Sequence, residues 1–158
     1  ALPISMLTDC KSMLSVYAHI AIATREGGNR YTEYYNENTR GLRALGYNTQ
    51  ILRDEGINFG RLPVMEDFDV TLQLLRKGYS NRILNWMVHN QAHGSGASGG
   101  CSTYRDLKMQ EEAAHALKKL HPEFVTVVEK TTKTAWGGNV TRTDVRIQWK
   151  KAYESSRG

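Results

Sequence analysis

Three prolines, two cysteines and three phenylalanines are spread over 158 residues. The two cysteines, Cys10 and Cys101, lie far apart and form no CxxC pair. That excludes a disulfide framework and a dithiol redox centre, and it fits free thiols in a reducing compartment. No stretch reaches the ~20 consecutive apolar residues that a bilayer-spanning helix needs, so no transmembrane segment is expected. Acidic charge is also in short supply. Twenty-one Lys and Arg stand against sixteen Asp and Glu, leaving a formal net charge of +5. This balance favours contact with nucleic acid, an anionic surface or an acidic protein over binding to a polyanion-repelling partner. The cations are dispersed, so no basic tail block stands out. The sequence opens on Ala1 without a methionine, a hydrophobic signal core or an Arg-rich presequence, and the expectation is a leader or initiator already removed. What is present, 40% hydrophobic and 23% charged residues, suffices for one ordinary core.

The most organised stretch runs from Arg82 to Lys130. Ile83, Leu84, Trp86, Met87 and Val88 form an apolar run; a glycine-rich segment from His93 to Cys101 follows; Leu107 to Leu120 has helical spacing; and Phe124 to Val128 is a second apolar run. That order predicts strand, loop, helix, strand, a βαβ-type unit. Pro122 stops the helix. Trp136-Gly137-Gly138-Asn139 predicts a turn, and Val145, Ile147 and Trp149 alternate with polar residues as in a half-buried strand of a hairpin.

In residues 1–26, Met6, Leu7, Cys10, Met13, Leu14, Tyr17 and Ile20 recur at helical steps, which predicts a helix stopped by Gly27-Gly28, with a strand over 16–23 as the alternative. Tyr31, Tyr34, Tyr35, Leu42 and Leu45 predict a second helix ending at Gly46. This tyrosine-rich face reads as a packing surface ahead of a base-stacking platform. Residues 47–68 read as an irregular connection. Asp69 is placed as the cap of a short helix through Leu72, Leu74 and Leu75, ended by Gly78. The expected organisation is a helical extension with its connection over 1–68, a folded domain over 69–150 and a solvated basic tail over 151–158.

The glycine-rich segment invites three chemical readings. Gly94-x-Gly96-x-x-Gly99 has dinucleotide-loop spacing, but the nearest acidic residue after the second apolar run, Glu129, lies 30 positions beyond Gly99 where roughly 20 are needed. His89 and His93 stand four apart, yet the companion Glu of HExxH is absent and the preceding run reads as extended. Cys101 with His93 could form a nucleophile pair, but no orienting third residue is identifiable. Satisfied or surface side chains are the plainer account, so no catalytic residue, cofactor or metal is expected. Asn139-Val140-Thr141 matches a glycosylation acceptor, relevant only to a secreted chain.

Thr71 to Gly78, the run to Val88, His89-Asn90-Gln91-Ala92-His93-Gly94 with Gly99-Gly100, and the helix ended by Pro122 together resemble the small thioredoxin-like family of mitochondrial ribosomal proteins and a respiratory complex I accessory subunit. The resemblance covers about residues 70–149. It implies an α/β (α+β) fold, a thioredoxin-like strand-loop-helix-strand-hairpin unit preceded by the helical extension. It also implies a non-enzymatic structural role in the mitochondrial matrix, contacting ribosomal RNA and neighbouring proteins. An accessory subunit of a respiratory-chain complex is the alternative, and a small enzyme using Cys101 and His93 is another. Candidate RNA or partner contacts, chosen by clustering of charge, are Arg76, Lys77, Arg82, Arg105, Lys118, Lys119, Arg142, Arg146, Lys150 and Lys151.

Overall fold

A computed structural model describes residues 2–24, 32–42, 44–89, 106–133 and 139–157. The chain is an α+β fold that divides into two compact units, residues 1–58, 70–93 and 149–158 in one and residues 59–69 and 94–148 in the other.

The first unit is built on a four-stranded sheet of order β2-β4-β1-β3. Strand β1 (His19–Thr24) is buried along nearly its whole length, as a central strand covered on both faces must be. It runs parallel to β4 (Asn81–His89) and antiparallel to β3 (Leu45–Tyr47), while β2 (Tyr35–Glu37) lies antiparallel on the far side of β4. A parallel pair needs a long crossover; here it contains β2, β3 and two helices, α2 (Thr49–Asp54) and α3 (Glu66–Arg76). Ala18, Val70 and Leu74 form one buried cluster against Tyr47, Ile51, Leu52, Ile57 and Tyr79. Asn48 caps α2 by accepting from the Gln50 and Ile51 backbone N–H groups at 3.0 and 3.2 Å, and its own amide donates to the Leu14 carbonyl at 2.8 Å. The α3 terminus closes with Gly78 N–H bonded to the Leu75 carbonyl and Tyr79 N–H to the Leu74 carbonyl, a Schellman stop that uses the positive φ of 87° at Gly78.

The second unit packs α4 (Leu107–Leu120) on a hairpin of β5 (Val125–Lys133) and β6 (Asn139–Ile147), paired over nine positions. Gln110, Ala113, Ala114 and Leu117 form the buried stripe of α4. Asp106 caps its start by accepting from Met109 N–H at 2.7 Å, and Pro122 follows its C-cap, His121.

Several expectations need correction. Helix α1 (Leu2–Met13) forms, but residues 1–68 are not a helical extension. They supply β1, β2 and β3, because sheet partners on both sides of residues 19–24 override the helical spacing. No helix spans 31–45 among the described residues. The expected 69–150 domain is divided between the units, with residues 70–93 joining the first. Strand, helix, strand and hairpin occur in the expected order. However, β4 and β5 belong to different sheets, so they do not form a βαβ unit. Asp69 lies one turn inside α3 and does not cap it. The expected tail begins with α5 (Trp149–Glu154), whose Ala152 is fully buried. Among the described residues, no helix is long and apolar enough to cross a membrane.

Candidate functional site

The carboxyl ends of β1 and β4 lie side by side, with Thr24 paired to His89. Just before that point the ladder breaks: Ile22 pairs with Leu84 but Ala23 pairs with Val88. Beside the break is a cleft of about 30 Å³, lined by the apolar Ile22, Ala23, Leu42 and Ile83 and by the polar Thr24, Asn36, Thr39 and Arg40.

One wall of the cleft is the turn at residues 38–41, which the buried amide of Asn81 fixes from both sides. Thr39 N–H donates to Asn81 Oδ1 at 3.1 Å and Asn81 Nδ2 donates to the Thr39 carbonyl at 2.7 Å. Asn38 takes a positive φ of 51°, and its side chain accepts from Ser80 Oγ at 2.7 Å. Gly41 passes so close to β1 that a Cβ there would stand 2.6 Å from Ala21 Cβ and 3.2 Å from His19 Nε2. His19 is almost fully buried and stacks on Tyr47 with ring centroids 4.6 Å apart. Its Nδ1 lies 3.5 Å from the Asn81 amide nitrogen. That nitrogen only donates, which assigns the proton to Nε2. Nε2 has no hydrogen-bond partner among the described residues. Burial pushes the His19 pKa down to about 4, so the ring is neutral at pH 7.

On the same sheet, Arg82 lies between the rings of Tyr17 and Tyr35, at 4.5 and 3.9 Å from their centroids. It also holds Glu37 through Nε at 3.1 Å and Nη2 at 2.6 Å, and Tyr17 donates to the same carboxylate at 2.7 Å. Hydrogen bonds from Arg82 and then Tyr17 keep the Glu37 pKa below its ordinary value. The cluster pins β2 to β4 and neutralises Arg82 locally.

The second unit contains a network of Arg61, Asp69 and His121, of which the Asp69 and His121 side chains are buried. Arg61 Nε donates to Asp69 Oδ2 at 2.8 Å and its Nη2 contacts Oδ1. His121 Nε2 lies 2.7 Å from Asp69 Oδ1. A carboxylate only accepts, so Nε2 carries the proton. Burial raises the Asp69 pKa, but the bonds from Arg61 and His121 outweigh it and hold the group ionised. A His–Asp pair can orient a general base. Here both side chains are 1% exposed, and the network joins residues 61–69 to the end of α4.

The candidate cations are divided between the units. Arg76 is exposed at the end of α3. Lys77 pairs with Glu55 at 2.9 Å, and Arg82 is held as described. Lys150 and Lys151 are exposed on α5. In the second unit, Lys118 donates to the Pro122 carbonyl at 2.5 Å, Lys119 is exposed on α4, and Arg142 and Arg146 are exposed on β6. Arg105, His93 and Cys101 lie outside the described residues. No cluster of three or more His, Cys, Asp or Glu positioned to hold a metal occurs among the described residues. Sequence reading missed Arg61, Asp69, His121, His19 and Asn81 as interacting groups, since their partners are as many as 62 positions away. It also left out Lys130. Compared with family models, with curated proteins and with solved structures, the chain matches none.

Proposed function

We infer that the first unit binds a small anion, of the size of one phosphoryl group, at the carboxyl ends of β1 and β4. The observation that carries this reading is the cleft beside the broken ladder, where Thr24, Asn36, Thr39 and Arg40 stand over an apolar floor. Open α/β sheets take ligands outside the carboxyl ends of parallel strands, and such sites combine apolar walls with a few convergent polar groups. Inorganic phosphate and sulfate are each tested by thermal-shift and calorimetric titration. At least one raises the melting temperature, and Arg40→Gln weakens its binding about tenfold or more, as loss of a charge-assisted contact does. Failure of both anions to bind the wild-type chain sinks the reading.

A second reading is a non-catalytic component of a large ribonucleoprotein assembly, of which the mitochondrial ribosome is the expected form. Exposed Lys119, Arg146, Lys150 and Lys151, which have no ion pair among the described residues, favour it. Binding that prefers structured RNA to DNA is its signature.

A further inference from the structure

The β5–β6 hairpin places like charges directly opposite each other. Lys130 faces Arg142 in register, and Arg146 faces Thr126 on the same side of the ribbon. The other side buries Val125 and Val145. Lys130 and Arg142 both reach Asp144 Oδ2, at 3.1 and 3.4 Å, so one carboxylate serves two cations. Their side chains remain 55% and 46% exposed. Arg146 is exposed and has no ion pair among the described residues. Like charges across a strand pair oppose folding. Three cations against the one Asp144 carboxylate leave this stripe with an excess of two positive charges. Glu129, on the opposite face, is bonded to Thr143 at 3.0 Å and does not neutralise that stripe.

We propose that this face of the β5–β6 ribbon docks in the major groove of double-stranded DNA and neutralises backbone phosphates. Nine residue pairs at about 3.4 Å each give a ribbon roughly 30 Å long, with strands about 4.8 Å apart. A two-stranded ribbon of that width enters the ~12 Å major groove of B-DNA. Lys130 and Arg142 stand four residues from the Thr126–Arg146 pair, a separation of about 14 Å. With the ribbon lying along the groove, the two cationic positions follow one another along it. The deep, narrow major groove of A-form RNA does not admit side chains in this way. The proposal is independent of the anion-binding reading.

The test is fluorescence anisotropy of the full chain on a 20-base-pair DNA duplex across a KCl series. Wild type is compared with the triple variant Lys130→Gln, Arg142→Gln, Arg146→Gln and with a charge-matched control, Lys11→Gln, Arg53→Gln, Lys108→Gln. The ribbon variant is expected to lose about tenfold or more in affinity at 0.1 M KCl and to lower the salt slope by roughly 2 to 3, while the control changes little. Both variants are checked for unchanged melting. Equal losses in the two variants would mean that binding follows net charge and would overturn the proposal. So would absence of duplex binding by the wild type, or tighter binding of an RNA duplex than of DNA.

Discussion

Each compact unit buries one histidine almost completely, and the two are held by opposite means. In the first unit His19 is packed against Tyr47 and the 38–41 turn, remains neutral and has an Nε2 without a partner among the described residues. In the second, His121 is bonded to an ionised Asp69 that Arg61 also holds. Burial depth is the same, 1% exposed in both. The difference shows that two imidazoles of equal burial can be given different polar partners. A neutral amide beside His19 leaves it a packing group near a cleft, whereas a carboxylate beside His121 makes it one end of a hydrogen-bonded cross-brace.

The largest effect comes from breaking that cross-brace. Asp69→Ala leaves Arg61 and His121 without their shared acceptor and should cost about 3–5 kcal/mol, as removal of one partner of a buried pair does. The loss is read from urea denaturation midpoints at pH 7. A cost below about 1 kcal/mol would mean that the network behaves like an exposed ion pair.

The next effect sharpens the contrast through pH. The folded pKa of His19, about 4, lies below its unfolded value of ~6.5, so the unfolded chain takes up the proton first. Stability from this group is complete above pH ~6.5 and is lost as pH falls toward 4, by on the order of 3 kcal/mol. Asp69, with a lowered pKa, adds its loss only below the unfolded carboxylate value of ~3.9. Denaturation series at pH 7, 5.5 and 4.5 should show the decline in the wild type and a flatter profile for His19→Phe. Parallel profiles would remove His19 as the cause.

The smallest effect probes the contact over His19. Gly41→Ala introduces a Cβ at 2.6 Å from Ala21 Cβ, and the overpacking should cost about 1–3 kcal/mol. Retention of the wild-type melting temperature would show that the turn shifts freely.

Much of the local structure was legible. The helical stripe from Leu107 to Leu120, the stop at Gly78 and the β5–β6 hairpin follow from residue spacing and turn chemistry. Residues 19–24 were legible only as the alternative, a strand over 16–23, because the apolar residues up to Ile20 also fit helical steps; they become a central strand between β4 and β3. Asp69 looked like a helix cap because an acidic residue before an apolar stripe usually is one. Its actual partner, His121, lies 52 positions away. The cleft was illegible for the same reason, since its walls come from β1, the 36–42 segment and β4.

By itself the sequence determined the positive net charge and the features set by nearest neighbours: the amphipathic α4 and the stops at Gly78 and Pro122. These depend on spacing within a few residues, where propensity and capping act. Only the tertiary structure decided which strands share a sheet, which cations are already paired and which carboxylate holds which histidine. Those outcomes depend on groups brought together across tens of residues, and the free energy of such contacts exists only once the chain has closed on itself.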